Sequence, residues 1–89
     1  MFEFDSQKNK INQKKHGIDF QEAQKLWEDP ELIELKSKLE AETRFIVIGE
    51  IEDKIWTAII TYRNNHICII SVRRARKEEE ALYESRRFR

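Results

Sequence analysis

The chain has 89 residues, of which 39% are hydrophobic and 38% are charged, and its 17 Lys and Arg residues balance its 17 Asp and Glu residues. A chain of this length is expected to form one domain, spanning residues 1–89. The balanced charge and the nine aromatic residues exclude a disordered polyelectrolyte. A single cysteine and two histidines exclude an internal disulfide and a zinc-binding array, so packing has to stabilise the fold.

The first residues argue against export or membrane insertion. Met1 to Asp5 are acidic in character, whereas a secretory signal peptide begins with basic residues. No apolar run approaches the roughly 18 residues that a membrane-spanning helix requires. We therefore expect a cytoplasmic protein that does not associate with a membrane.

A short strand and a polar helix are predicted at the start of the chain. The alternation in Phe2–Phe4 predicts an edge strand. Asp5 is a suitable N-cap, because its carboxylate accepts free amide hydrogens of a first helical turn, and Gly17 supplies the left-handed residue that ends a helix. A first helix is therefore expected over about Ser6–His16, with Ile11 as its main apolar anchor.

A second helix is indicated directly afterwards. Asp19 is its predicted N-cap, and the helix ends at Asp29-Pro30, because proline disfavours helix at the residue before it. After the proline, Leu32–Leu35 is typical of a short strand, and 36–43 of a polar loop.

Three stronger strands and a last helix complete the chain. β-branched and aromatic residues predict strands over Arg44–Ile51, Ile55–Tyr62 and His66–Val72. The connections at 52–54 and 63–65 are short and turn-prone, which predicts an antiparallel meander. From about Arg74 a helix resumes, with three residues expected on its inner side: Ala75, Leu82 and Tyr83.

The element order β-α-α-β-β-β-β-α predicts a small α+β domain with helices packed on one face of an antiparallel sheet. Charge is spread unevenly along this order: the net charge is −1 over 1–29, −2 over 30–70 and +3 over 71–89. A basic carboxyl end on a neutral chain points to a polyanionic or an acidic partner.

Three stretches together resemble the BrnT family of toxins from bacterial type II toxin-antitoxin modules. They are Phe2–Asp5 with the helix end Lys15–Ala23, then Arg44–Gly49, then Ile69–Ala75, and the resemblance spans nearly the whole chain. The family is related in fold to RelE-type messenger-RNA interferases, so the resemblance implies a RelE-like fold and a ribonuclease that blocks translation.

The resemblance also implies a partner. This is a BrnA-like antitoxin, which binds the toxin and carries the DNA-binding module through which the complex represses its own operon. Operator DNA would then be bound only through the antitoxin, in an assembly of two toxins with two antitoxins.

Cleavage of RNA by its own ribose 2′-hydroxyl requires neither a metal nor a cofactor. The ribose 2′-hydroxyl loses a proton, charge grows on the phosphate oxygens, and the leaving 5′-oxygen gains a proton. Arg73-Arg74, at the end of the last strand, is the best pair to stabilise that charge, since a donor aimed at developing charge contributes roughly 3 kcal/mol. Strand alternation sends the two side chains to opposite faces, so at most one enters the site directly.

Three further residues are candidates for proton transfer or orientation, each with a structural alternative. His16 is a candidate acid or base, because imidazole titrates near physiological pH, although the helix dipole alone favours a histidine before Gly17. Tyr83 is expected to donate a proton or stack on a base, or else to face the core from the last helix. Glu79 is expected to orient Arg73 or Arg74, or simply to cap the helix.

Other basic residues are candidates for contacts with RNA phosphates, although simple solvation is the commoner reason for basic residues at strand ends and on a polar helix: Arg44, Arg63, Lys14, Lys15 and Arg76. Trp27, Trp56 and Cys68 are assigned to the core.

Two other functions stay open from the sequence. The first is a binding module without catalysis, in which the basic end docks an acidic antitoxin or regulator. It would have lost nuclease activity through Glu78, Glu80 and Arg76, where family members commonly have other residue types. The second is direct DNA binding, against which the absence of a helix-turn-helix or ribbon-helix-helix pattern counts.

Overall fold

A five-stranded sheet forms the centre of the molecule in a computed structural model that describes residues 1–37 and 43–87. Its strand order is β1-β5-β4-β3-β2; β1 pairs parallel to β5, and the other pairs are antiparallel. The strands are β1 Phe2–Glu3, β2 Ile33–Lys36, β3 Phe45–Ile51, β4 Lys54–Arg63 and β5 His66–Arg74. Residues 38–42 of the predicted polar loop lie outside the described residues.

Three α-helices accompany the sheet: α1 Ser6–His16, α2 Phe20–Ala23 and α3 Lys77–Arg87, with a 3₁₀ segment at Gln24–Glu28. Asp5 accepts hydrogen bonds from the amides of Gln7 and Lys8, and Asp19 accepts one from the amide of Glu22, so both predicted N-caps are confirmed. The α+β class and the order of elements are confirmed as well. None of the helices in the described ranges combines the length and apolar character needed to cross a membrane.

Two tight turns build the predicted meander. Glu52 and Asp53 connect β3 to β4 with φ of 46° and 70°, and Asn64 and Asn65 connect β4 to β5 with φ of 51° and 67°. Consecutive residues with positive φ are typical of the two-residue hairpin turn whose twist matches that of the strands, and Asn and Asp tolerate this conformation best.

The helices lie on both faces of the sheet. Val47 of β3 packs in one core cluster with residues of α2 and the 3₁₀ segment, whereas its neighbour Ile48 packs in a second cluster with Tyr83 of α3. Because adjacent strand residues point to opposite faces, α3 lies on the face opposite to α2 and the 3₁₀ segment. The expectation that all helices pack on one face is therefore wrong for α3, since the central strands bury apolar residues on both sides.

An irregularity in β5 decides which way its last residues point. Ile59 pairs with Ser71 and Ile60 with Ile69, so Ile70 is an additional residue in β5. Such a β-bulge shifts the alternation of the residues that follow it. Ile69 and Val72 consequently belong to the same core cluster although they are three positions apart.

Helix α1 contacts the sheet through a polar residue. Asn12 is 5% exposed, and its side chain accepts a hydrogen bond from the Val72 amide (3.0 Å) and donates to the carbonyls of Val72 and Ile18 (both 2.9 Å). Asn12 thereby continues the hydrogen bonding of β5 beyond the end of β1. The predicted anchor, Ile11, is 63% exposed, so that prediction is wrong.

The inner face of α3 also differs from expectation at one position. Tyr83 is 1% exposed and Ala75, just before the helix, packs on the same cluster, as predicted. Leu82 is 38% exposed, so its predicted place on the inner side is wrong. A helix that packs on one face of a sheet buries only a narrow stripe of its own surface. Leu82 lies about 100° around the helix axis from the buried Tyr83, so it falls outside that stripe.

Candidate active site

Arg74 is held by an aromatic ring on the face of the sheet that α2 and the 3₁₀ segment cover. Its Cζ lies 5.5 Å from the centroid of the Trp56 ring, and the two residues are direct partners across β4 and β5. A guanidinium over an indole face is attracted by the quadrupole of the ring. The guanidinium of Arg74 is thus positioned while the residue stays exposed.

A cavity of about 330 Å³ opens beside Arg74. Four parts of the chain line it: the carboxyl end of α1, α2, the β3–β4 turn with its two strands, and the end of β5. They bring together one imidazole, two cations and two carboxylates: His16, Lys54, Arg74, Glu22 and Glu52.

The backbone at the end of α1 places His16 at this cavity. Gly17 has φ of 75°, and its amide donates a hydrogen bond to the carbonyl of Gln13 (2.9 Å), so α1 ends at His16 as predicted. His16 is half-buried and lines the cavity together with Gly17. An imidazole fixed at a helix end beside two cations is suited to exchanging a proton with a bound anion.

The described residues contain no group of three or more His, Cys, Asp and Glu side chains placed to hold a metal ion. Lys54 and Arg74 bring two positive charges to this cavity. Side-chain cations of this kind stabilise negative charge that develops on a phosphoryl group.

Arg73 lies on the other face of the sheet, where Glu79 of α3 binds it. Two parallel hydrogen bonds join its guanidinium to the Glu79 carboxylate, at 2.7 and 2.9 Å. The carboxylate also accepts hydrogen bonds from the Thr57 hydroxyl and the Arg76 amide. This network fastens the start of α3 to β4 and β5.

The ion pair shifts the pKa of both of its partners. The Arg73 guanidinium lowers the pKa of Glu79 to about 2, with help from Arg76 and Thr57 and against the effect of burial. The Glu79 carboxylate in turn raises the pKa of Arg73. Both groups therefore stay ionised and paired at neutral pH, an arrangement that stabilises the fold rather than offering Arg73 to a substrate.

Tyr83 belongs to a second buried network. Its hydroxyl donates a hydrogen bond to Asp29 (2.6 Å), whose carboxylate also accepts hydrogen bonds from the amides of Glu31 and Glu50. Burial and the Asp29 carboxylate raise the pKa of Tyr83. Burial alone would raise the pKa of Asp29, but its hydrogen bonds hold that pKa below the ordinary value.

The predicted RNA-binding residues fall in several places. Arg44 and Arg63 line one cavity of about 190 Å³ together with Lys8. Lys15 lines a different cavity, of about 170 Å³, together with His16. Lys14 lies on the side of α1 away from the buried Asn12, and Arg76 precedes α3 beside Glu79.

The structure thus separates the five predicted catalytic residues. His16 and Arg74 meet at one cavity, whereas Arg73 and Glu79 pair on the opposite face of the sheet. The side chain of Tyr83 is buried between α3 and the sheet.

Lys54, Glu22 and Glu52 also line the cavity and were not predicted from the sequence, and Trp56 was assigned only to the core. Trp56 does pack against the core cluster, and its ring also lies below Arg74. Lys54 follows the positive-φ pair Glu52 and Asp53, so the hairpin turn was a usable signal for the position of Lys54. The proximity of that turn to the end of α1 arises only from the tertiary fold.

Two cations and an imidazole at one cavity of this small α+β domain are side chains suited to binding a phosphodiester and to transferring a proton to it. A family model described as "Ribonuclease toxin, BrnT, of type II toxin-antitoxin system" matches residues 4–79. The chain therefore belongs to the BrnT family of ribonuclease toxins. A search of curated proteins gave no match. Membership in a type II toxin-antitoxin family implies an antitoxin partner.

Proposed function

We propose that this chain is a metal-independent endoribonuclease that cleaves RNA at the cavity of His16, Lys54 and Arg74. The observation that carries the proposal is the convergence of these three side chains on a single accessible cavity. Membership in a ribonuclease toxin family supports the reaction class.

The proposed reaction uses the ribose as its own nucleophile. A carboxylate of the cavity, Glu22 or Glu52, accepts the proton of the 2′-hydroxyl as the 2′-oxygen attacks phosphorus. The bond from phosphorus to the 5′-oxygen breaks, and the imidazolium of His16 donates a proton to that oxygen. The products are a 2′,3′-cyclic phosphate and a free 5′-hydroxyl.

Arg74 and Lys54 act on the charge that builds up on the non-bridging oxygens during this step. The Trp56 ring positions the Arg74 guanidinium before the substrate binds, and Lys54 lines the cavity from the first position of β4. Preorganised donors of this type contribute roughly 3 kcal/mol each to transition-state stabilisation. We assign the role of the stabilising arginine to Arg74 and a structural role to Arg73.

The purified protein tests the reaction directly. In excess EDTA, we expect it to cut a single-stranded RNA and to leave a cyclic phosphate that is detected by mass spectrometry. A His16→Ala variant is expected to cut at least about a hundredfold more slowly. Products with a 3′-hydroxyl, or complete loss of cutting in EDTA, would contradict the mechanism.

A weakly active or inactive binding module is the second candidate. One observation favours it: the two cations of the cavity are matched by two carboxylates, Glu22 and Glu52, so the cavity has little net positive field. Induced expression without growth arrest, together with tight binding to a neighbouring gene product, would support this candidate and a role as co-repressor.

We further propose that the antitoxin is BrnA-like, that it supplies all DNA contacts, and that two toxins assemble with two antitoxins in the cytoplasm. Co-expression with the antitoxin is expected to relieve growth arrest and to give a complex with the mass of a heterotetramer in light scattering. Operator binding by the toxin alone would contradict the division of roles.

A further inference from the structure

Three cavities succeed one another along α1. The candidate active site shares His16 with a neighbouring cavity of about 170 Å³, which lies between α1 and the bulge of β5. That neighbour shares Lys8 and Ile70 with a third cavity of about 190 Å³, which Arg44 and Arg63 also line. The shared residues place the three cavities next to one another along the helix, and we call this row of cavities the α1 groove.

The side of α1 that borders this groove alternates cationic and apolar side chains. Lys8, Ile11 and Lys15 are spaced three and four residues apart, so they follow one another along one side of the helix. All three are exposed, and Ile11 has 63% of its surface accessible. The helix contains no acidic residue.

The other lysines of the helix point elsewhere. Asn12 faces β5, and at 100° per residue Lys10 and Lys14 each lie about 160° around the axis from it. The four lysines, which the sequence presents as one basic helix, thus divide into two that border the α1 groove and two on the far side.

Among the described residues that line the α1 groove, the acidic ones lie at its two ends. At the end formed by Arg44 and Arg63, the carboxylate of Asp5 accepts hydrogen bonds from the first turn of α1, and Glu3 lies 3.7 Å from His66. Among the described residues, none of those that line the middle section, bordered by Lys8 and Lys15, carries a carboxylate. The charges of the two lysines are therefore not offset by an acidic residue of that lining.

We propose that the α1 groove binds single-stranded RNA that flanks the cleaved phosphodiester, with Lys8 and Lys15 contacting successive phosphates and Ile11 contacting a base. This inference rests on the proposed function for the position of the scissile bond. Unpaired bases are free to turn toward an apolar side chain, whereas the bases of a duplex are stacked and paired, so the pattern fits a single strand.

Fluorescence anisotropy with a labelled 2′-O-methyl RNA of about a dozen nucleotides tests the groove, because this probe binds without being cut. Lys8→Ala combined with Lys15→Ala is expected to weaken binding roughly tenfold near 0.1 M salt. It is also expected to make the slope of log K against log salt shallower by about 1.4, since each phosphate contact of a single strand contributes about 0.7.

The matched control is Lys10→Ala combined with Lys14→Ala, which removes the same charge from the same helix on its far side. We expect this control to keep the wild-type salt slope. Equal losses of RNA affinity in the two double variants would overturn the inference, because binding would then depend on the total charge of the protein and not on the position of the lysines. Ile11→Ser, at an exposed position, is expected to weaken binding severalfold with no change in salt slope and no change in melting temperature.

Two further outcomes separate this inference from the proposed function. If the wild-type protein cuts no RNA but the two double variants still differ as expected, the groove stands and the proposed function fails. If the protein cuts RNA and the two double variants bind alike, the groove fails and the proposed function stands. Binding of a duplex probe as tight as that of the single strand would overturn the inference of single-strand binding.

Discussion

Arg73 and Arg74 are adjacent in the chain, and their guanidinium groups lie on opposite faces of the sheet. Arg73 is bound by Glu79 of α3, whereas Arg74 lies over Trp56 beside the cavity of His16. One arginine therefore joins α3 to the sheet, and the other is exposed at the cavity. This division separates effects on stability from effects on cleavage in the variants below.

Glu79→Gln is expected to destabilise the protein by roughly 2 kcal/mol, because it leaves the partly buried Arg73 without its carboxylate. Urea unfolding at pH 7 measures this difference. Glu78→Gln makes the same charge change at an exposed neighbouring position and is expected to stay within about 0.5 kcal/mol of wild type. Equal stability of the two variants would contradict a structural role for the ion pair.

Acid is expected to remove the contribution of this ion pair. The pKa of Glu79 falls from an ordinary 4.5 to about 2 on folding, so the contribution is complete above pH 4.5 and is lost as the pH falls toward 2. The stability difference between wild type and Glu79→Gln should therefore narrow over that range. A constant difference from pH 7 to pH 2 would show that Glu79 titrates normally in the folded protein.

Asn12→Leu is expected to cost roughly 3 kcal/mol, although leucine is similar in size to asparagine. The substitution removes three hydrogen bonds and leaves the amide and carbonyl of Val72 without partners at a buried strand edge. Urea unfolding measures the loss, and hydrogen exchange should be faster at the Val72 amide in particular. Gln13→Leu, at the exposed next position, is the control. Unchanged protection of Val72 would refute the contact.

Tyr83→Phe is expected to cost about 1–2 kcal/mol, because Asp29 loses the donor on which its position depends. Cleavage per folded molecule should be unchanged, since the Tyr83 hydroxyl lies beneath α3 and away from the cavity. Tyr62→Phe, whose hydroxyl bonds Glu34 at the surface, should have a smaller effect on stability. A stable but inactive Tyr83→Phe variant would instead restore Tyr83 as a proton donor.

Local signals were sufficient to predict the elements of this fold. The helix caps Asp5, Gly17 and Asp19 hydrogen-bond residues only two to four positions away in the chain. The two hairpin turns are likewise formed by short turn-prone sequences, so the sequence indicates both features directly. The same holds for the opposite orientation of Arg73 and Arg74, which follows from strand alternation alone.

Features that depend on distant contacts were not predictable in this way. Asn12 lies in a polar helix, so the sequence alone suggests a solvated residue, and its burial depends on hydrogen bonds to the distant edge of β5. Ile11 suggests an apolar anchor, but the side of α1 that contacts the sheet is set by Asn12 and leaves Ile11 exposed. The bulge at Ile70 has no local signature, yet it places Val72 in the core and Arg74 beside Trp56. Lys54 joins the cavity only because the β3–β4 turn approaches the end of α1.

The central claim is that Arg74, and not Arg73, stabilises the transition state, and single-turnover cleavage of a defined RNA in EDTA tests it most directly. Arg74→Ala is expected to lower the rate constant at least about a hundredfold without lowering the melting temperature. Arg73→Met combined with Glu79→Met removes the ion pair as a unit, which leaves no unpaired charge, and should cut RNA close to the wild-type rate. A folded double variant without activity, alongside an active Arg74→Ala variant, would contradict the account.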